Sequence, residues 1–148
     1  MAVLSEFGAS LETTREWIEE LMQTMQTDEA QACRAFRAVT QELRNHLTLA
    51  ETADLSAQLP LLLRGVFYDG WTPSKVRQRN RSKEKFLQKV SDRLPRATPI
   101  GQVEKMVREV FMFLDRKVSP GEIRHVVGSL PKDLQPLWPE YARSLQRA

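Results

Sequence analysis

The sequence predicts an all-α fold: an internally duplicated helical bundle in which two four-helix repeats pack as one domain. Three observations predict it. Apolar residues recur at spacings of three and four, and no segment alternates convincingly with period two. Shifting the chain by the distance from Pro60 to Pro131 aligns residues 27–67 with 98–138 without a gap. The matches then fall on apolar positions and helix signals: Thr27/Thr98, Gln31/Gln102, Arg37/Arg108, Val39/Val110, Leu43/Leu114, Glu51/Glu122, Leu59/Leu130, Pro60/Pro131 and Leu63/Leu134.

Each copy reads as four helices. The first begins near Thr14, with Trp17, Ile18, Leu21, Met22 and Met25 on one face; its counterpart begins near Ser82 and uses Phe86, Leu87, Val90 and Leu94. The second begins at Thr27 or Thr98, whose hydroxyls can accept from orphan backbone N–H groups, and Pro99 suits a first helical position. Its stripe is Ala32, Ala35, Phe36, Val39 and Leu43 in one copy, and Val103, Met106, Val107, Val110 and Leu114 in the other. The third opens on "TLAE" (Thr48 to Glu51) or "SPGE" (Ser119 to Glu122). Both fit a capping box, in which hydroxyl and carboxylate satisfy two orphan donors reciprocally. The fourth starts at Pro60 or Pro131: the Leu-Pro pair stops one short helix and opens the next. Gly70 then offers a left-handed stop before Trp71. The expected organisation is an N-terminal arm (1–13), a first repeat (14–70), a basic linker (71–81), a second repeat (82–138) and a C-terminal tail (139–148).

The two copies differ where a function could lie. Leu61 and Leu62 become Lys132 and Asp133, whereas Thr40, Gln41 and Glu42 become Phe111, Met112 and Phe113. The second long helix is thereby apolar around most of its circumference. One reading makes it the central helix of a single core, covered by the helix of Leu61 and Leu62. The other makes Leu61, Leu62, Phe111, Met112 and Phe113 a surface for a protein partner or a second copy.

With 148 residues, 41% hydrophobic and 28% charged, the composition suits one soluble globular domain. Cys33 is the only cysteine, so an internal disulfide is impossible and a reducing, cytoplasmic setting is the expectation. The N-terminus does not read as a secretory signal, and no apolar run approaches a bilayer span, so no membrane association is expected. The net charge of +3 is uneven. Residues 1–70 carry five Arg against eleven Asp and Glu (−6), residues 71–97 nine basic against two acidic (+7), and residues 98–148 eight against six (+2).

Two further groups invite a chemical reading. Lys75, Arg77, Arg79, Arg81, Lys83 and Lys85 recur every second residue. An extended strand would put all six on one side, suited to the phosphates of a nucleic acid or another polyanion. No aromatic is interleaved for base stacking, and a solvated linker, or one attracted to the acidic first half, accounts for the run better. Glu122 and His125 form a Glu-x-x-His pair whose repeat mate is Glu51 and Asp54, a spacing that di-metal bundles use. Both glutamates, however, are already accounted for by capping. No Gly-rich phosphate loop, zinc spacing or nucleophile elbow is present, which counts against an enzyme, and no cofactor is expected. Cys33 lies beside its helix's apolar stripe, where a thiol packs as a small hydrophobe.

"LSAQLPLLLRGVFYDGW" (Leu55 to Trp71), "SKEKFLQKV" (Ser82 to Val90) and "VSPGEIRHVVGSLPKDLQPLW" (Val118 to Trp138) together resemble a bacterial family catalogued as domain of unknown function 2267. The resemblance covers roughly Thr14 to Trp138 and implies a small all-helical bacterial protein of this length. It implies no activity, substrate or functional residues. The function expected is therefore a non-catalytic module working through protein contacts or self-association, with polyanion or metal binding as alternatives.

Overall fold

A computed structural model describes residues 5–73, 82–95 and 98–144. Among the described residues there are helices and turns and no strand. The elements are α1 (Ser5–Met25), α2 (Glu29–Arg44), α3 (Leu49–Ala57), α4 (Leu61–Tyr68), α5 (Lys83–Asp92), α6 (Ile100–Lys117), α7 (Pro120–Ser129), a 3-10 turn (Gln135–Leu137) and α8 (Glu140–Ser144).

The helix signals act as expected in some places and differently in others. Ser82 caps α5 by accepting from the Lys85 N–H, and Thr48 and Glu51 form the full reciprocal box at α3, at 3.2 and 3.1 Å. α1 reaches back to Ser5, so residues assigned to an N-terminal arm are helical; with only Gly8 to weaken it, nothing there breaks the helix. At α2 the cap is Asp28, not Thr27. Its carboxylate accepts from the Gln31 N–H at 2.8 Å and also carries the charge the helix dipole favours. At α6 the cap position is Pro99, and Ile100 begins the helix.

Ser119 shows a larger departure. Its hydroxyl accepts from the Glu122 N–H at 3.4 Å, but its own N–H donates to Gln58 Oε1 at 2.8 Å. Gln58 thus takes the role that Glu51 fills at α3, and the Glu122 carboxyl is left buried, with Oε1 lacking a hydrogen bond. Capping therefore does not account for Glu122.

The fourth element of the second half is also not an α-helix. After Pro131 the chain makes a turn, with the Leu134 N–H on the Pro131 carbonyl at 2.9 Å, and then the 3-10 turn. Pro136 stands where the alignment places Gly65 of α4. It lacks the N–H and its ring obstructs the preceding turn, so an α-helix cannot run through it. α8 follows within the expected tail.

One hydrophobic core runs from Ile18 to Ala142 and takes side chains from both halves. α2 packs on α1, α4, α5 and α6, while α6 packs on α1, α2, α5, α7 and the 3-10 turn. α3 packs on α4 and α7. The central position of α6 is as expected, but its cover is α1, α2 and α5, not α4. Phe111 (1% exposed) stacks on Trp138 with centroids 4.2 Å apart and planes at 9°, and faces Phe86 at 6.3 Å. Phe113 is equally buried and meets the edge of Trp17 at 5.7 Å. Both phenylalanines are therefore core residues and leave the expected interaction surface. Leu61 and Leu62 on α4 are 52% and 40% exposed, and Met112 on α6 is 39% exposed.

Two backbone positions close turns. Gly70 has φ of 75° and lets the chain turn sharply after α4, with the Trp71 N–H on the Tyr68 carbonyl at 2.9 Å. Gln26 has φ of 54° and ends α1 in a Schellman arrangement, with the Thr27 N–H on the Met22 carbonyl at 3.1 Å.

Candidate functional site

The second half of α2 carries a run of buried polar groups: Thr40, Gln41, Glu42 and Arg44, with His46 just beyond. Thr40 Oγ1 donates to the Phe36 carbonyl of its own helix at 2.6 Å, whereas Gln41, Glu42 and Arg44 meet polar groups at the ends of α4 and α5. Gln41 Nε2 donates to the Val66 carbonyl at 2.8 Å, and Arg44 Nη1 donates to the carbonyls of Phe67 (2.9 Å) and Asp69 (3.2 Å). The last carbonyls of a helix have no partner within it, so a guanidinium there both satisfies them and meets the negative end of the dipole. Arg93, at the end of α5, reaches across to Gln41 Oε1 at 3.0 Å and Glu42 Oε1 at 3.4 Å; the other Glu42 oxygen lies 3.2 Å from His46 Nε2. Arg37, one helical stretch before Gln41, pairs with Asp69 at 2.9 Å.

These groups border a cleft of about 520 Å³. Arg37, Arg44 and Arg93 line it with Gln41, Asn45, Thr48 and Asp69, and Leu47, Leu49, Trp71 and Pro73 supply apolar wall. Arg44 is the unusual member. It is only 4% exposed, and its direct partners are neutral: two backbone carbonyls and the Asn45 side-chain oxygen at 3.3 Å. Burial holds its pKa below the ordinary arginine value, and the neighbouring Arg93 charge adds to this; Glu42 and Asp69 oppose both. A buried charge without a contacting counter-charge is costly, and an acidic ligand group would relieve that cost. The lining offers cationic and amide donors beside an aromatic ring, which equips it for binding.

The residues singled out from the sequence fall elsewhere. Lys75, Arg77, Arg79 and Arg81 lie outside the described residues. Lys83 and Lys85 lie in α5, where successive residues rotate about the axis, so the one-sided extended arrangement does not hold there. The Lys83 N–H donates to Asp133 at 2.6 Å and its ammonium pairs with Glu104 at 3.4 Å.

Glu51, Asp54, Glu122 and His125 sit on α3 and α7, which do pack together. Burial raises the Glu122 pKa, and the charges of Asp54 and Glu51 raise it further against His125. Glu51 is committed to the α3 cap, and among the described residues no group of three or more His, Cys, Asp and Glu is placed to hold a metal ion. Cys33 is exposed on α2 rather than packed; partial desolvation, then Glu29, pushes its thiol pKa up.

Sequence reasoning passed over Arg37, Gln41, Arg44 and Arg93. A signal was present: the change from Thr40–Gln41–Glu42 to Phe111–Met112–Phe113 marks a polar wall as much as an apolar one.

A family model described as an uncharacterized conserved protein, DUF2267, matches residues 14–137. No curated protein matches the chain. No described helix is long and apolar enough to cross a membrane.

Proposed function

The chain belongs to the DUF2267 family, a membership that specifies no activity, and from that premise we propose that it is a non-catalytic binding module whose arginine-walled cleft takes up the acidic group of a ligand. The observation that carries this reading is Arg44, a nearly buried guanidinium whose hydrogen-bonding partners are all neutral. The second half supports it by contrast. The alignment that pairs Arg37 with Arg108 puts Met112 opposite Gln41 and Asp115 opposite Arg44, and in the groove there, beside Met112, Leu137 and Trp138, the cations Lys105, Arg108 and Arg143 stand with the acids Glu104 and Glu109. The cleft instead joins two arginines of α2, from the first half, with Arg93 at the end of α5, from the second.

The test is calorimetric titration of sodium phosphate and sodium acetate at constant ionic strength. Saturable heat that is lost in Arg44→Gln supports the reading; heat that survives that change, or no saturable heat with these anions or with their aryl counterparts, sinks it.

Exposed apolar side chains favour a second reading, protein contact. Phe7 and Leu11, one turn apart on α1, are exposed on the face that further along buries Ile18 and Leu21, and Leu61 and Leu62 are exposed on α4. Light scattering across a concentration series tests it: a strict monomer argues against self-association. We further propose that the two halves arose by duplication, with repeats at 14–70 and 82–138. Failure of α2–α3 to superpose on α6–α7 would overturn that.

A further inference from the structure

We infer that the ligand of the cleft is a small aromatic oxyanion, its ring lying along Trp71 and its carboxylate or phosphate at Arg44. The inference rests on the binding role proposed above and adds the class of ligand. Volume is the first argument. About 520 Å³ lies within the range of roughly 300–1,000 Å³ usual for small-molecule sites, and far exceeds the needs of a bare oxyanion, so there is room for a body behind the acidic group.

The donors are the second argument. Arg44 uses Nη1 on the Phe67 and Asp69 carbonyls and Nε on Asn45, which leaves Nη2 without an acceptor among the described residues. Arg93 uses Nε and Nη1 on Glu42 and Gln41, and Arg37 uses Nη1 on Asp69, so each also keeps a terminal nitrogen for a ligand. Guanidinium N–H groups in a plane match the planar oxygens of a carboxylate and the spread oxygens of a phosphate. Asp69 and Glu42 stand near the same cleft, but each is paired with an arginine, Arg37 and Arg93, so the unmatched charge is that of Arg44.

The ring wall is the third argument. The left-handed turn at Gly70 sets Trp71 on the cleft, where its ring lies 5.2 Å from Tyr68, tilted by 38°. Tyr68 is itself held by a hydrogen bond of 2.7 Å between its hydroxyl and Ser56 Oγ. Trp71 is thus backed by an anchored ring while staying half-exposed. A pre-positioned aromatic face of this kind favours a planar ligand over an aliphatic one, by about 2- to 12-fold in affinity for one ring pair.

The experiment uses the full chain at neutral pH and constant ionic strength, titrated with inorganic phosphate, acetate, phenyl phosphate and benzoate. Heat and tryptophan emission are read together. The aryl member of at least one pair is expected to bind about tenfold more tightly than its non-aryl partner and to change the emission; whichever pair shows this identifies the oxyanion. Trp71→Leu should abolish the aryl advantage, bringing the two members of each pair to similar affinity. Arg44→Gln should weaken every ligand that binds; Arg93→Gln, at a more exposed position, serves if Arg44→Gln unfolds. Equal affinity within both pairs, or an aryl advantage that survives Trp71→Leu, overturns the inference while leaving the anion role intact. Absence of saturable binding by all four ligands overturns both.

Discussion

Replacing Phe111 by alanine, beside the parallel change at Met112, tests which side of α6 is core. The residues are sequence neighbours, yet Phe111 is 1% exposed and Met112 39%. Removing a fully buried phenylalanine costs about 3–5 kcal/mol, from lost transfer energy and the cavity left behind. The stack on Trp138 adds an aromatic pair worth about 0.5–1.5 kcal/mol, which places Phe111→Ala near the top of that range, at about 4–5 kcal/mol. This is a large share of the roughly 5–15 kcal/mol that holds a domain together. Met112→Ala should change stability by no more than about 0.5 kcal/mol, because little packing is lost and alanine is a good helix former. In urea, with a slope of about 2 kcal/mol/M, the phenylalanine change should lower the midpoint by about 2 M and the methionine change should barely move it. Far-UV circular dichroism gives the midpoints, and near-UV circular dichroism reports whether the aromatic packing persists. Should Phe111→Ala fail to fold, Phe111→Leu retains most of the volume and should cost about 1.5 kcal/mol. Similar losses at the two positions, or a loss under about 1 kcal/mol at Phe111, would refute the assignment of that face to the core.

Three other predictions concern helix ends and the buried carboxyl. Because burial raises the Glu122 pKa in the fold, its contribution to stability is full below the ordinary glutamate range and is lost as pH rises through the raised value. Glu122→Gln should remove that decline and be more stable than wild type at neutral pH; urea midpoints measured from about pH 4 to about pH 8 decide it, and parallel curves would contradict it. Gln26→Gly should stabilise by about 0.5–1 kcal/mol, since glycine tolerates the left-handed conformation there; a fall in melting temperature would count against this. Thr48→Ala should cost about 1 kcal/mol by removing the hydroxyl half of the α3 box, and an unchanged urea midpoint would show that the box contributes nothing.

Much of the fold was legible because helices announce themselves locally. The stripe Ala32–Phe36–Val39–Leu43 and the box at Thr48 need no knowledge of the rest of the chain. Asp28 displaced Thr27 at its cap because two adjacent acceptors compete and the sequence does not rank them. Pro136 was visible in the sequence, and its power to break a helix is general, but the strength of the repeat drew attention to Pro131 instead. Phe111 and Phe113 could be read as core or as surplus surface because periodicity tells that a helix is apolar all round without saying what surrounds it. The cleft was the least legible part. Arg44 and Arg93 meet only because α5 packs on α2, and that juxtaposition belongs to the tertiary structure. The local hint at Thr40–Gln41–Glu42 could mark an unusual wall, not the partner that would complete it.

The mutual embrace of α2 with α5 and α6 has a consequence for how the chain is made. A ribosome releases Arg44 well before Lys117, and the intervening 73 residues take about 4–15 s at roughly 5–20 residues per second. Through that interval α2 has α1 and α4 beside it but not α5 or α6, and the side they will cover must wait in water without clumping. The surplus of six negative charges over residues 1–70 suits that wait, since newborn copies emerging on one messenger repel each other until their basic, apolar remainder arrives to cover them.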